Sequence, residues 1–255
     1  MATKTSAVKR ASKLDYASVA FAALPFMGMI SFWQVFDGIV PLMLTNTFNL
    51  DNAATGVVMA LDNIFGLFLL PLFGILSDRC ASKLGRRTPF IMAGSVVAAI
   101  AVPLIAVANN MRSFPLLIAM ILLTLLAICS YRTMTVAVVA DITPRPLRTK
   151  ADSIEKIVGY AGTGVMLVAI TLLVPDVEHP DYLPLFGLQA AFILGSALLY
   201  FWRIREPQLV ERMHEKSLEM GIEEAQIDTD DSPEAGGKQR IQDPSVRLSI
   251  AMILA

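Results

Sequence analysis

The sequence predicts an all-α membrane protein with six transmembrane helices. Of its 255 residues, 55% are hydrophobic, and the mean hydropathy is +0.60, which is typical of polytopic membrane proteins and rare among soluble domains. The apolar residues form six runs of about 20 residues or more, the length of a helix that crosses a hydrocarbon core. These runs lack the alternation of polar and apolar residues found in barrel strands, so helices must satisfy their backbone groups in lipid.

The six apolar runs define the predicted spans and the segments around them. The first run is too long for a cleaved signal peptide and further runs follow it, so we expect it to be the first transmembrane helix. Spans 1 to 6 are expected at residues 16–44, 55–76, 90–108, 114–140, 153–174 and 185–202. We expect a cytoplasmic N-terminus at 1–15, the six-helix bundle at 16–202, a cytoplasmic central loop at 203–245 that begins as an amphipathic helix, and a truncated seventh span at 246–255.

The distribution of positive charge predicts the orientation of the spans. A basic loop, residues 77–89, joins spans 2 and 3 and carries four Lys and Arg residues. With the N-terminus inside, all 21 Lys and Arg residues except Arg112 and Arg132 lie on the cytoplasmic side or at cytoplasmic helix ends. The positive-inside rule therefore predicts a multi-pass protein with a cytoplasmic N-terminus.

The composition argues against several other classes of site. The two cysteines, Cys80 and Cys129, form no CxxC motif, and the two histidines lie in different loops, so we expect no metal centre. The glycine-rich stretch 159–164 follows no strand and lacks the order of a dinucleotide-binding loop, which predicts close helix packing instead. We expect a protein that is not an enzyme and has no cofactor and no nucleic-acid partner.

Two carboxylates inside the spans are candidates for binding a coupling cation. Asp37 in span 1 and Asp62 in span 2 each lie seven residues from the outer end of the span, about 10 Å below the surface. A charge at the bilayer centre costs roughly 2.5–3.5 kcal/mol, so both should face a cavity or a partner. Two carboxylates at one depth can share a proton or a sodium ion. The alternative is a wet outer vestibule in which they have no role.

Arg132 is a third charge inside a span. It lies about 27 Å below the outer surface, in the inner half of span 4, and about 15 Å from the level of Asp37. That separation predicts no direct ion pair without helix tilt or motion. The alternative to a functional role is snorkelling of the side chain to the inner interface.

Two further acidic residues, Asp78 and Asp141, lie at the cytoplasmic ends of spans 2 and 4. An anion at the C-terminus of a helix is opposed by the helix dipole, so each needs a compensating cation. The expected cations are Arg79, Arg86 and Arg87 for Asp78, and Arg145 and Arg148 for Asp141.

The basic loop also resembles a family motif. The pattern Gly74-x-x-x-Asp78-Arg79, five spacer residues and Gly85-Arg86-Arg87 resembles the loop between helices 2 and 3 of major facilitator transporters. The long spacer and the ending Arg-Arg-Thr-Pro-Phe-Ile are similar to the sucrose-transporter and glycoside–pentoside–hexuronide:cation symporter branch. The alternative is a generic positive-inside loop. The resemblance implies that a gating motif latches two halves together, and it comprises Gly74, Asp78, Arg79, Gly85, Arg86, Arg87, Asp141 and Arg148.

A second stretch resembles span 4 of sucrose transporters. Their pattern Arg…Ala-Asp…Arg…Ala-Asn corresponds here to Arg132, Ala140-Asp141, Arg148 and Ala151-Asp152, with Asp152 in place of the usual Asn. The resemblance implies that Arg132 binds sugar hydroxyls or exchanges carboxylate partners, for which a planar guanidinium is suited. Trp33, Gln34 and Ser31 of span 1 are further candidates to line a sugar site.

The resemblance implies the N-terminal half of a secondary transporter. Family members have twelve spans in two halves and work by alternating access. The expected activity is transport of a sugar or glycoside with a proton or sodium ion across the plasma membrane. The expected partners are the sugar, the bilayer, and a missing C-terminal six-helix half or a second copy. The alternatives are export of another small solute, and a non-transporting fragment or membrane scaffold.

Overall fold

The computed structural model describes residues 14–80, 82–175, 177 and 180–220 of the chain. Within these ranges every regular element is a helix and no strand is present. Six helical segments are long and apolar enough to cross a membrane, which confirms the predicted six-span, all-α fold. The predicted linker from residue 221 onward and the expected start of a seventh span lie outside the described residues.

The helices follow the predicted spans closely. In chain order they are α1 (Tyr16–Ala22), α2 (Leu24–Leu42) with a π-helical extension (Met43–Thr47), α3 (Asn52–Met59), α4 (Leu61–Asp78), α5 (Thr88–Asn110), α6 (Phe114–Asp141), a 3-10 turn (Arg145–Leu147), α7 (Arg148–Leu173), α8 (Leu183–Arg203) and α9 (Glu206–Glu219). The six candidate spans are Leu24–Thr47, Asn52–Asp78, Thr88–Asn110, Phe114–Asp141, Arg145–Leu173 and Leu183–Arg203.

Spans 1 and 2 are each interrupted by a break in the helix. The first break lies at Ala23, directly before Pro25 in the first turn of α2, where proline is tolerated because no intrahelical donor is needed. The second lies at Ala60 and places Asp62 in the first turn of α4. A negative charge there is favoured by the positive end of the helix dipole.

The packing places α2 at the centre of the described bundle. It packs against α7 and α8, while α5 packs against α6 and α8, and α4 packs against α6. The large side chains Phe32, Phe36, Tyr131, Phe186 and Tyr200 are fully buried between these helices. By contrast, α4 buries few of its side chains, since Ser77 is its one fully buried residue.

Several glycines let the helices approach closely. Gly94 of α5 faces the side chains of Tyr131 and Ser130 on α6, where an added Cβ would lie 2.5 Å and 2.6 Å from them. In the predicted packing stretch, Gly159 and Gly162 contact neighbouring helices, but Gly164 faces open space. Small residues at these crossings therefore set the distance between helices.

We predict that Gly94→Val destabilises the bundle. The branched side chain would overlap Tyr131, and overpacking of this kind typically costs about 1–3 kcal/mol. The measurement is the melting temperature of the detergent-solubilised protein. Gly195→Val is the matched control, because nothing lies within 4 Å of a Cβ added at Gly195. Equal melting temperatures for the two variants would contradict the close α5–α6 contact.

Candidate functional site

The candidate site inside the spans begins on one face of α2. Trp33 and Gln34 precede Asp37 by four and three residues, so all three side chains lie along the same side of the helix. Trp33 and Gln34 are half-buried and Asp37 is exposed. Ser31, a further candidate, lies elsewhere: it is fully buried, and Gln189 Nε2 of α8 donates to its hydroxyl at 3.2 Å. Ser31 is therefore part of the α2–α8 contact and does not line this face.

Arg132 reaches this face from α6. Its guanidinium lies over the Trp33 ring, 5.2 Å from the centroid, and Trp33 is one helical turn from Asp37. Arg132 and Asp37 form no salt bridge in the described part of the chain. Helical side chains lean toward the N-terminus of their own helix, so in the antiparallel α2 and α6 the Asp37 and Arg132 side chains lean toward each other.

Asp62 approaches the same region from α4. It lies within electrostatic range of Asp37 and of Cys129 on α6, and Cys129 in turn lies within range of Arg132. Asp37 and Asp62 each lie ten residues from the outer end of their span, so they share one depth as expected. That depth is about 15 Å below the outer end of the span, rather than the expected 10 Å. The side-chain amide of the adjacent Asn63 donates to Asp62 Oδ1 at 2.8 Å.

Two donors at this face have no strong acceptor. The indole Nε1 of Trp33 is buried and has no hydrogen-bond partner among the described residues. Arg132 forms no salt bridge in the described part of the chain, and its guanidinium contacts the Trp33 ring. A buried donor without an acceptor is costly, so the face is suited to a ligand that brings oxygen acceptors.

The basic loop forms a second cluster, at the end of the bundle that we call the basic end (residues 79–87 and 142–147 with α9). Arg87 bridges two helices: its Nη1 lies 2.7 Å from Asp78 on α4 and its Nε lies 3.0 Å from Asp141 on α6. Burial alone would lower the pKa of Arg87, but Asp141 and Asp78 together raise it above its usual value. The two carboxylates at helix C-termini thus share one guanidinium.

The pairing expected for Asp141 is therefore wrong. Neither Arg145 nor Arg148 forms a salt bridge with it in the described residues; Arg148 Nε donates to the Thr143 carbonyl at 3.2 Å, which holds its own loop together. The other motif residues take separate positions. Gly74 faces open space on α4, and Arg79 is exposed directly after α4.

Glu206, at the start of α9, closes the basic loop from the opposite side. Its carboxylate accepts backbone N–H bonds from Arg86 at 2.8 Å, from Arg87 at 3.1 Å and from Thr88 at 2.8 Å. The Thr88 hydroxyl adds a bond of 2.7 Å. These N–H groups belong to the N-terminus of α5, where they would otherwise lack partners and where the dipole favours an anion.

Gly85 makes this contact with Glu206 possible. Its φ is +110°, in the region that favours glycine, and an added Cβ would overlap the Glu206 side chain. The motif glycine is therefore needed both for the turn and for the close approach of the carboxylate.

The Major Facilitator Superfamily profile matches residues 20–253 of the chain. The chain belongs to the major facilitator superfamily. Partial matches place its similarity in the sucrose-transporter branch, as the motif predicted. Sucrose transport protein SUC4 of Arabidopsis thaliana is 48% identical over 54 residues, which cover 21% of this chain and 11% of the relative.

Two rice relatives give longer matches. Sucrose transport protein SUT3 of Oryza sativa subsp. indica is 38% identical over 64 residues, 25% of this chain and 13% of the relative. Sucrose transport protein SUT1 of Oryza sativa subsp. japonica is 32% identical over 93 residues, 35% of this chain and 17% of the relative. The matched segments thus span less than a fifth of these relatives. No solved structure matches the chain.

Sequence reasoning missed two acidic residues of this major facilitator chain. Glu206 was placed in a polar loop, and the available signal was the Arg-Glu-Pro sequence, which is typical of a helix start. Glu155 of α7 is 1% exposed, and its Oε1 has no hydrogen-bond partner among the described residues. The signal for Glu155 was a carboxylate on the face that carries Gly159 and Gly162.

We predict that Glu206→Gln loosens the basic loop of this major facilitator chain. Hydrogen bonds to a charged group contribute about 1.5–3 kcal/mol each, and a neutral amide oxygen accepts more weakly. Amide hydrogen exchange at Arg86, Arg87 and Thr88 should accelerate by about tenfold or more, the equivalent of 1.4 kcal/mol.

Glu211→Gln serves as the control, because Glu211 is exposed on the same helix and its substitution removes the same charge. Unchanged exchange at residues 86–88 in the Glu206 variant would show that its carboxylate does not hold the loop.

Proposed function

We propose that the chain is the N-terminal half of a secondary transporter that moves a sugar or glycoside with a cation by alternating access. The observation that carries the proposal is the contact of Arg132 on α6 with Trp33 on α2, in a bundle whose first two spans also carry the carboxylates Asp37 and Asp62. Charges inside membrane helices are costly and are retained at substrate and ion pathways. The similarity to sucrose transport proteins supports a sugar as the substrate class.

The chemistry of the face supports a polyhydroxylated substrate. The indole of Trp33 offers a flat ring and an unpaired donor, and Arg132 offers the donors of a planar fork. Gln34 adds an amide that can both donate and accept. Because the guanidinium covers the Trp33 ring, a sugar that stacks on this ring has to move Arg132 aside.

The cation is proposed to bind at Asp37 and Asp62. Two carboxylates within electrostatic range repel each other, so binding a proton or a sodium ion between them is favourable. We propose that the movement of Arg132 off Trp33 links sugar binding to cation binding.

The open side of this face supports a second six-helix unit as partner. Asp37 is exposed and Asp62 and Arg132 are half-buried in the single chain, and three unpaired charges in lipid would cost roughly 8–10 kcal/mol. That cost is comparable to the whole stability of a domain. We propose that a C-terminal half or a second copy covers this side. The positive charge at the basic end supports a cytoplasmic N-terminus. We propose the plasma membrane as the location.

We predict that Asp37→Asn and Asp62→Asn uncouple transport from the cation. The amide keeps the shape of the side chain and removes the charge that holds the cation. The test uses proteoliposomes that hold the complete transporter, with this chain and its second six-helix unit, under an imposed proton or sodium gradient. Accumulation of radiolabelled sucrose should fall about tenfold or more, which corresponds to a loss of 1.4 kcal/mol.

The control for this experiment is Asp51→Asn, which alters the N-cap of α3 outside the proposed site. If both site variants still accumulate sucrose against its gradient, the coupling cation binds elsewhere.

We predict that the chain by itself, as a monomer, does not transport, because alternating access needs two units that rock about a shared site. Purified chain at a protein-to-vesicle ratio below one should show no gradient-driven uptake. Uptake that appears only with a cross-linkable dimer would identify a second copy as the partner. Uptake by a demonstrated monomer would contradict the need for a second unit.

A further inference from the structure

A cavity of about 430 Å³ opens at the basic end, between the start of α1, the end of α8 and α9. This volume is within the range of small-molecule sites. Its lining includes Asp15, Phe21, Trp202 and three arginines, Arg203, Arg205 and Arg212. It is separate from the sugar and cation face described above, and nothing in the proposed transport cycle uses it.

The cavity carries positive charge that no ion pair among the described residues neutralises. None of its three arginines forms a salt bridge within the described residues. Arg203 contacts the Phe21 ring at 5.6 Å, which orients the guanidinium and leaves its donors available.

The acidic residue in the lining is already engaged. Asp15 accepts from the Ser18 hydroxyl at 2.7 Å and from the Ser18 backbone N–H at 3.3 Å, as the N-cap of α1. These bonds to Ser18 lower the pKa of Asp15, so it stays ionised and bound to its helix. The cavity as a whole therefore presents an excess of cationic donors.

The position of Trp202 places the cavity at the membrane surface. This side chain is 84% exposed, and it lies at the last turn of a membrane-spanning helix. Tryptophan at the end of a span is typical of the lipid headgroup level. Arg203 and Arg205 come directly after Trp202 in the chain, and Arg212 lies in α9. The three arginines therefore lie at the level of the lipid headgroups rather than of the acyl chains.

We propose that this arginine cavity binds the phosphate headgroup of an anionic membrane lipid. Guanidinium groups bind phosphate oxygens through paired, charge-assisted hydrogen bonds. Basic pockets beside transmembrane helices are suited to anionic headgroups. Binding would tie α9 to the ends of α1 and α8, and α9 also carries the Glu206 that holds the basic loop.

The two tryptophans of the chain permit a direct test. In a Trp33→Phe background, Trp202 is the sole indole and reports on lipids beside the cavity. The full chain is reconstituted in phosphatidylcholine vesicles that contain increasing brominated phosphatidylglycerol or, in parallel, brominated phosphatidylcholine. The expected result is half-maximal quenching at a lower mole fraction of the anionic lipid.

The arginines should carry that preference. We expect the apparent affinity for the anionic lipid to fall about fivefold in each of the variants Arg203→Gln, Arg205→Gln and Arg212→Gln. The reason is that one basic residue near a membrane surface contributes about 1 kcal/mol. Arg145→Gln is the matched control, because Arg145 is exposed at the same end of the bundle but outside the cavity. All four arginines are exposed, so the variants should fold, and equal melting temperatures verify this.

The other possible outcomes either contradict the proposal or show whether the bound phosphate belongs to a lipid or to a soluble ion. Equal quenching by both lipids, or an unchanged preference in the three arginine variants, would overturn it. Inorganic phosphate is titrated in detergent as a separate arm. If phosphate binds in an arginine-dependent way but neither lipid is preferred, the cavity binds a soluble phosphate and the proposed lipid binding is overturned. If phosphate competes with the anionic lipid, the two share one phosphate site, which supports the proposal.

Discussion

A charge inside a hydrocarbon core has no solvent, and this constraint organises the structure. The bilayer offers no partner for Asp37, Asp62 or Arg132, so the protein must supply one. For Arg132 it supplies the Trp33 ring, at 5.2 Å, and for Asp62 the side-chain amide of Asn63.

The helix ends at the basic end face a related electrostatic problem. Two helices end in carboxylates that oppose their dipoles, and one guanidinium, Arg87, compensates both. The N-terminus of α5 needs an anion, which Glu206 supplies from a different helix. These bonds connect α4, α5, α6 and α9. The two ion pairs of Arg87 thus connect the C-terminus of α4 to the C-terminus of α6.

Much of the fold could be predicted because membrane helices are specified locally. In lipid each helix satisfies its own backbone, so length and hydropathy suffice to find six spans. The breaks within spans 1 and 2 were harder to predict. Pro25 signals the first, but nothing in the sequence around Ala60 marks the second. The break at Ala60 depends on how α3 and α4 pack, and it decides that Asp62 lies at a helix N-terminus.

The sequence by itself determined which residues are charged, which spans carry them and which loop carries the family motif. The tertiary structure decided their partners. Arg132 meets Trp33 because α6 packs beside α2, and Glu206 meets the backbone of Thr88 across 118 residues of chain. The physical reason is that depth and periodicity follow from the fixed rise and turn of one helix, whereas a contact between helices depends on how side chains of both fill the space between them.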